Sequence, residues 1–230
     1  MTDYDEFARA YSDANEGNLL NAWYERPAMV ELAGDVAGRD VLDAGCGSGP
    51  LAAALRDRGA RVSGFDLSPG MVALARERLG EDADLRVADL DAPLPYDDDA
   101  FDIVVCSLAL HYLPDWAGAL AELRRVLRPG GRLVVSVPHP AAYLVNYPGR
   151  DYFALTRYSE EFEFGDRTAT LTYWHRPLHA MTDAFTAAGL RLLAVGEPPW
   201  SPATPTELLP ARAAGRTAFV CFLFFTLEAP

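Results

Sequence analysis

Three acidic residues close short strand-like runs: Asp43 in Val41-Leu42-Asp43-Ala44, Asp66 after Val62 to Phe65, and Asp89 after Leu85 to Ala88. The first run enters Gly45-Cys46-Gly47-Ser48-Gly49, with glycine at alternate positions and Pro50 behind them. Such a turn lets a ligand lie against bare backbone, because glycine has no Cβ and tolerates positive φ. A helix opening near Pro50 then directs its free N–H groups at the occupant. Asp43 gives the turn its chemical character. An ionised carboxylate at a buried strand end is costly unless it meets a donor or a cation. An ammonium or sulfonium group would supply one, and a pyrophosphate would be repelled. The dinucleotide fingerprint G-x-G-x-x-G fits at Gly45 and Gly47 only, since Pro50 takes the third glycine position and Gly49 comes one place early. The turn is therefore expected to hold a cationic nucleoside.

The elements that must position these residues follow from periodicity. Tyr4, Phe7, Ala8 and Tyr11 fall at i, i+3, i+4 and i+7, the face of an amphipathic helix. A second helical stretch carries Leu19, Leu20 and Trp23, with Pro27 opening its continuation. The pattern then alternates: strand 40–44, helix 50–58, strand 61–66, helix 69–79, strand 85–88, strand 101–106, helix 116–127 and strand 131–137. Short apolar strands alternating with helices imply an α/β fold, a parallel sheet covered on both faces. Ligands in such sheets bind beyond the carboxyl ends of the strands, at the topological switch point. Asp43, Asp66, Asp89 and Ser107 all lie at or just past those ends, so four strands reach one site.

Four ordered segments carry a family resemblance. Val41 to Leu55 resembles the first motif of class I S-adenosylmethionine-dependent methyltransferases. Gly64-Phe65-Asp66-Leu67-Ser68, followed by Met71, resembles the second strand end, where an acid holds the ribose hydroxyls. Val87-Ala88-Asp89-Leu90 resembles the third, where an acid meets the adenine amino group. Leu127-Arg128-Pro129-Gly130-Gly131-Arg132-Leu133 resembles the turn into the fifth strand. The likeness covers residues 40 to 137, is looser outside them, and lies nearest the small-molecule enzymes of ubiquinone and menaquinone biosynthesis. It implies a Rossmann-like, doubly wound seven-stranded sheet, mostly parallel with an antiparallel last strand. The implied cofactor is S-adenosylmethionine, leaving as S-adenosylhomocysteine. The matching cofactor positions are Asp43, Gly45, Cys46, Gly47, Gly49, Asp66, Leu67, Met71, Ala88, Asp89, Leu90 and Ser107. Two of the acids keep alternatives. Asp66 could cap the helix that Ser68-Pro69 opens, and Asp91 competes with Asp89 for the adenine.

The rest of the chain bounds the chemistry. With 230 residues, half of them apolar, it can bury one substantial core. A net charge of −13 argues against a nucleic-acid partner. All 20 basic residues are arginine, which removes lysine Schiff-base chemistry and the P-loop lysine. Cys46, Cys106 and Cys221 have no metal-ligand spacing, so no metal is expected, and their odd number points to a reducing cytoplasm. The longest apolar stretch, 218–227, is about half a bilayer span, so no membrane partner is expected.

One domain, 1–230, is expected. Within it, 1–35 form a helical lid, 36–138 the cofactor core, 139–177 a cap insertion and 178–230 the completion of the sheet. Nine of the chain's 25 aromatic residues fall between 139 and 176. Alternation at Phe162-Phe164 and through 168–174 suggests a hairpin there, with two or three rings lining an acceptor pocket and the others packing the insertion down. A helix over 181–188 and strands at 190–195 and 217–226 complete the sheet through a hairpin-like connection. The stretch 198–214, with five prolines and Trp200, is an irregular loop.

A sulfonium methyl is already activated, so the expected reaction needs alignment of a small-molecule acceptor, exclusion of water and, for a protonated nucleophile, a base. His111, just past the fourth strand, is one candidate base, and a structural helix-start residue is the alternative. His139, beyond the fifth strand, is the second candidate. His175 and His179 flank Arg176-Pro177-Leu178 and orient the chain into its next helix. Tyr11 either bonds the methionine carboxylate or packs in the core. The acceptor atom, O, N or C, is left open, and the chain is expected to act as a monomer or homodimer. The competing functions are a nicotinamide-dependent oxidoreductase, disfavoured by Asp43 and Pro50, and a protein that binds the nucleoside without methyl transfer.

Overall fold

A computed structural model describes residues 5–165, 167–213 and 215–230. Tyr4, assigned above to the first amphipathic face, lies outside the described residues. Seven strands form one sheet: β1 (Asp40–Ala44), β2 (Arg61–Asp66), β3 (Asp84–Val87), β4 (Phe101–Ser107), β5 (Leu127–Pro138), β8 (Arg191–Gly196) and β9 (Phe222–Glu228). Their order is β3-β2-β1-β4-β5-β9-β8. The first five run parallel, and β9 is antiparallel to both β5 and β8. From β1 the chain moves outward to β2 and β3, then returns to the other side of β1 at β4. The switch point therefore lies between β1 and β4, where a crevice opens beyond the strand ends.

Side-chain alternation along the strands builds two apolar layers. Leu42, Ala44, Val104, Cys106, Leu133 and Val135 face one of them, with Leu120, Leu123 and Phe185 from α5 (Ala117–Val126) and α7 (Leu178–Ala187). Val41, Ile103, Val105 and Val134 face the other, with Met29 of α2 (Arg26–Ala33) and Leu51 and Leu55 of α3 (Pro50–Arg56). The amino ends of β1 and β4 are tied by charge: Asp40 accepts from Arg61 at 2.6 Å and from Arg128 at 3.0 Å, and Arg128 also pairs with Asp102 at 2.9 Å.

The structure differs from the sequence pattern at several boundaries. The last strand starts at Phe222, not 217, because Phe222 sits opposite Pro138, the final residue of β5, and earlier residues have no ladder to join. The connection between β8 and β9 is correspondingly long, 197–221, and not a tight hairpin. Pro27 does open the helical continuation: it stands in the first turn of α2, directly behind a π-helical turn at Asn21–Glu25 in which the Arg26 N–H bonds Asn21 O. The turn widens where proline has no N–H to continue the i→i−4 ladder.

The N-terminal helix α1 (Ala8–Gly17) lies against α4 (Pro69–Leu79), bridged by Arg9 to Glu77 at 2.7 Å and by Arg78 to Glu16. The insertion holds a helix absent from the sequence reading, α6 (Pro140–Asn146), and a separate two-stranded sheet of β6 (Thr156–Phe164) and β7 (Arg167–His175). This hairpin docks on α1: Phe164 stacks on Phe7 at 5.6 Å and meets Tyr11 edge-on at 5.3 Å. Its far end is pinned by His175, stacked on Tyr143 at 4.0 Å and donating to Tyr152 O, and by Arg176, whose guanidinium lies 4.6 Å over Trp116.

Docking through a small satellite cluster should make the hairpin a separate cooperative unit. Phe164→Ala is expected to speed amide exchange in β6, β7 and α1 by about tenfold or more, with β1 and β4 unchanged. Uniform loss of protection, measured by hydrogen-exchange mass spectrometry, would show that the hairpin is part of the main core.

Candidate active site

A cleft of about 450 Å³ opens over the carboxyl ends of β1, β2, β3 and β4. Its floor is the glycine turn. Gly45 adopts φ 77°, and a Cβ placed there would stand 2.8 Å from Ala109 Cβ, so only glycine leaves the backbone open at this point. The Gly47 N–H is turned to Asp66 Oδ2 at 2.8 Å, and the Ser68 N–H bonds the other oxygen, Oδ1, at 3.0 Å. Asp66 thus does not cap α4; Ser68 does, its Oγ accepting the Met71 N–H at 3.0 Å. Burial raises the Asp66 carboxyl above its usual range, with the Ser68 and Gly47 N–H groups opposing.

Tyr11, Asp43, Cys46, Leu67, Met71, Ala88, Asp89, Leu90 and Ser107 also line the cleft. Asp91 does not; its N–H caps Asp89 Oδ1 at 2.9 Å. Three of the expected site residues stand apart. Gly49 begins α3 and packs on α4, where a Cβ would lie 3.2 Å from both Ala75 and Leu79. It lets two helices approach and does not face the cleft. His111 is buried against Tyr112 and Tyr173, with ring centroids at 4.4 and 5.1 Å, and its Nδ1 has no hydrogen-bond partner. Burial pushes its pKa down to about 3, so the imidazole stays neutral and cannot store a proton near neutral pH. His139 caps α6, accepting the Ala141 N–H at Nδ1, with Nε2 3.0 Å from Glu197. Neither histidine lines the cleft, and position just past a strand end did not reveal which way either ring turns. The nine aromatic residues of the insertion are also absent from the cleft walls. Instead Tyr173 and Phe164 stand behind Tyr112 and Tyr11, which do line it.

The sequence reading missed one residue of consequence, Glu25. Asp43, Ser107 and Ser136 share the face of β1, β4 and β5 that looks toward the π turn, having the same alternation as Val41, Val105 and Val134. Glu25 descends from that turn onto them. It is 3% exposed and accepts Ser107 Oγ–H at 2.7 Å and Ser136 Oγ–H at 2.5 Å. Burial raises its carboxyl, against the two serine bonds and Arg26. An acid directly after the apolar stretch Ala22-Trp23-Tyr24 is the available signal. Arg26, Asn15 and Asn21 line the same wall, and Asn15 and Asn21 are joined by a 2.7 Å hydrogen bond. At the cleft's other rim Asp5 accepts the Gly70 N–H at 2.9 Å and the Ser68 hydroxyl.

Asp43 is 1% exposed and neither carboxyl oxygen has a hydrogen-bond partner. Burial first, then Glu25 and Asp66, pushes its pKa up to about 8; the Ala52 N–H counters this only in part. An orphaned buried carboxyl beside a turn that only glycine can form fits a nucleoside bearing a cationic amino-acid tail. Asp66 and Asp89 offer acceptors for its hydroxyl and amino groups, and Arg26 offers a donor for a carboxylate.

Known proteins of similar sequence and fold are methyltransferases. Residues 42–135 match the family described as a methyltransferase domain. A demethylmenaquinone methyltransferase of Clavibacter sepedonicus is 39% identical over 136 residues, 57% of this chain and 55% of that protein. A ubiquinone biosynthesis O-methyltransferase of Pseudomonas entomophila (strain L48) is 32% identical over 179 residues, 69% of this chain and 77% of the relative. An S-adenosylmethionine dependent methyltransferase of Mesorhizobium loti, 28% identical, superposes with a TM-score of 0.65 over 88% of this chain and 96% of its own. The chain matches only about half to three-fifths of the length of the first curated relatives.

The Asp43 carboxyl also sets a pH dependence. Its pKa is raised on folding from 3.8 to about 8, so the folded state binds more protons than the unfolded one in that window, and stability falls as pH rises through it. Asp43→Asn should raise the Tm of the free protein by about 10 °C at pH 8 and leave it nearly unchanged at pH 4. Calorimetric melts from pH 4 to 8 test this; parallel curves for the two proteins would show that Asp43 is ionised throughout.

Proposed function

The chain belongs to the class I S-adenosylmethionine-dependent methyltransferase family, and from that premise we propose that it methylates a small-molecule acceptor. The observation carrying the reading is the orphaned Asp43 carboxyl in a cleft otherwise lined by hydrogen-bonding acids, a setting for a cation and not for a pyrophosphate. That charge pattern also weighs against nicotinamide chemistry. S-Adenosylmethionine, when bound, supplies a methyl group already activated on its sulfonium.

The chain's own residues then bind, orient and exclude water. Asp66 accepts the ribose hydroxyls through lone pairs not used by Gly47 and Ser68, and Asp89 accepts from the adenine amino group. Asp43 is the counter-charge to the α-ammonium, and Arg26 and Tyr11 face the α-carboxylate. The N-terminal segment serves as a lid, supported by Asp5 on Ser68 and Gly70 and by the Arg9–Glu77 pair. The acceptor enters on the side of Tyr11, Tyr112 and Leu113, whose aromatic rings the hairpin braces. No histidine lines the cleft, which favours a nucleophile that is neutral or ionises by itself.

No helix among the described residues is long and apolar enough to cross a membrane. The free thiols of Cys46 and Cys106 suit a reducing cytoplasm.

Methyl-labelled S-adenosylmethionine incubated with panels of phenols, amines and acidic-carbon compounds is expected to yield labelled product. Tight cofactor binding with no transfer to any class would favour a binding protein. Asp66→Ala should raise the cofactor Kd about 10- to 100-fold, since bonds to a charged acceptor contribute about 1.5–3 kcal/mol. An unchanged Kd in isothermal titration would place the ribose elsewhere.

A further inference from the structure

We infer that Glu25 and Asp43 form an acid pair holding one proton in the free protein, and that seating the cofactor's α-ammonium group expels this proton to solvent. The inference rests on the functional reading above, which supplies the incoming cation. Both carboxyls line the same cleft, both are buried, and they come from different elements, the π turn and β1; Glu25 bonds Ser107 of β4, the strand whose Val105 pairs with Asp43.

Their surroundings are unequal. Glu25 accepts two serine hydroxyls on one oxygen, whereas Asp43 has no hydrogen-bond partner. Two carboxylates desolvated side by side cannot both ionise cheaply. The charges facing them do not relieve this. Arg26, next to Glu25, is the facing cation, but it is shared with Glu16 at 3.9 Å and donates to Asn15 O, with Arg78 repelling it from beyond. From β2 comes Asp66, and from the glycine turn and β4 come the thiols of Cys46 and Cys106, none of them positive. The sheet on the other side offers the uncharged Ser107 and Ser136. The proton therefore rests on Asp43, and the serine bonds keep Glu25 as the acceptor.

When an ammonium group enters, the O–H bond of the Asp43 acid breaks and its proton leaves to the buffer. The ammonium takes the place of that proton, so charge is conserved at the site. Ligands with the amino-acid tail should then bind more tightly as pH rises, by about tenfold per unit while one full proton is released. The tail-less nucleoside 5′-methylthioadenosine should show no such dependence.

The test is isothermal titration at pH 6.5 in three buffers of different ionisation heat. That pH lies below the ordinary titration of an α-amino group, about 7.7–8.0. S-Adenosylmethionine and S-adenosylhomocysteine are each expected to release about one proton, and 5′-methylthioadenosine none. Glu25→Gln, similar in shape, should release a smaller fraction and bind S-adenosylmethionine about tenfold more weakly. Should that variant fold poorly, the pH profile of the parent protein decides alone. Binding of S-adenosylmethionine without proton release, or with the same release as 5′-methylthioadenosine, overturns the acid pair and leaves the functional reading intact. Failure of both cofactor forms to bind at any pH overturns the functional reading and the pair with it.

Discussion

The structure turns on the placing of a carboxylic acid, Asp43, on the buried face of the central strand, where the protein supplies no partner for it. Unpaired buried charge is among the most expensive features a fold can carry, and the contrast within one strand is plain. Asp40, at the amino end of β1, is held below its usual range by Arg61, with Arg128 beside it. Three residues later Asp43 is pushed the other way by burial and by other acids. One end of the sheet is neutralised by the protein itself. The other carries an acid that no neighbouring protein group neutralises.

Much of the remaining architecture serves to sustain that arrangement. The parallel order brings β1 and β4 together at the switch point, so Asp43 and Ser107 project to the same side. Ser136 on β5 joins them through the register Ser107↔Ser136. A helix crossing that face would ordinarily present apolar side chains, as Tyr24 and Met29 do. The π turn ahead of Pro27 coincides with an acid, Glu25, seated over the two serines. The helix stays anchored in the apolar layer while a polar group reaches the cleft.

The aromatic insertion works at one remove. Its rings contact His111, Tyr112, Tyr11 and Phe7, and so it shapes the mouth of the cleft without forming its walls. The same packing explains His111. Ring contacts on two sides and exclusion from water leave a neutral imidazole with a structural place.

The strands, their alternation and the acids at their ends were legible in the sequence. Each is a local matter: the period of apolar residues, the glycines of one turn, and the residue that closes each strand. Asp43, Asp66, Asp89 and Ser107 could be gathered into one site by strand order alone. Glu25 could not, because its meeting with Ser136 spans 111 residues of chain and depends on how a helix lies across a sheet. His111 and His139 failed for the same reason. Chain position names the strand end a side chain follows, but packing decides whether it turns to the cleft, to a neighbouring ring or to a helix cap. The sequence by itself determined that acids close the strands around one glycine turn. The tertiary structure decided that two acids from distant segments, Glu25 and Asp43, line the same cleft, because only folding removes them from water and forces their charges to interact.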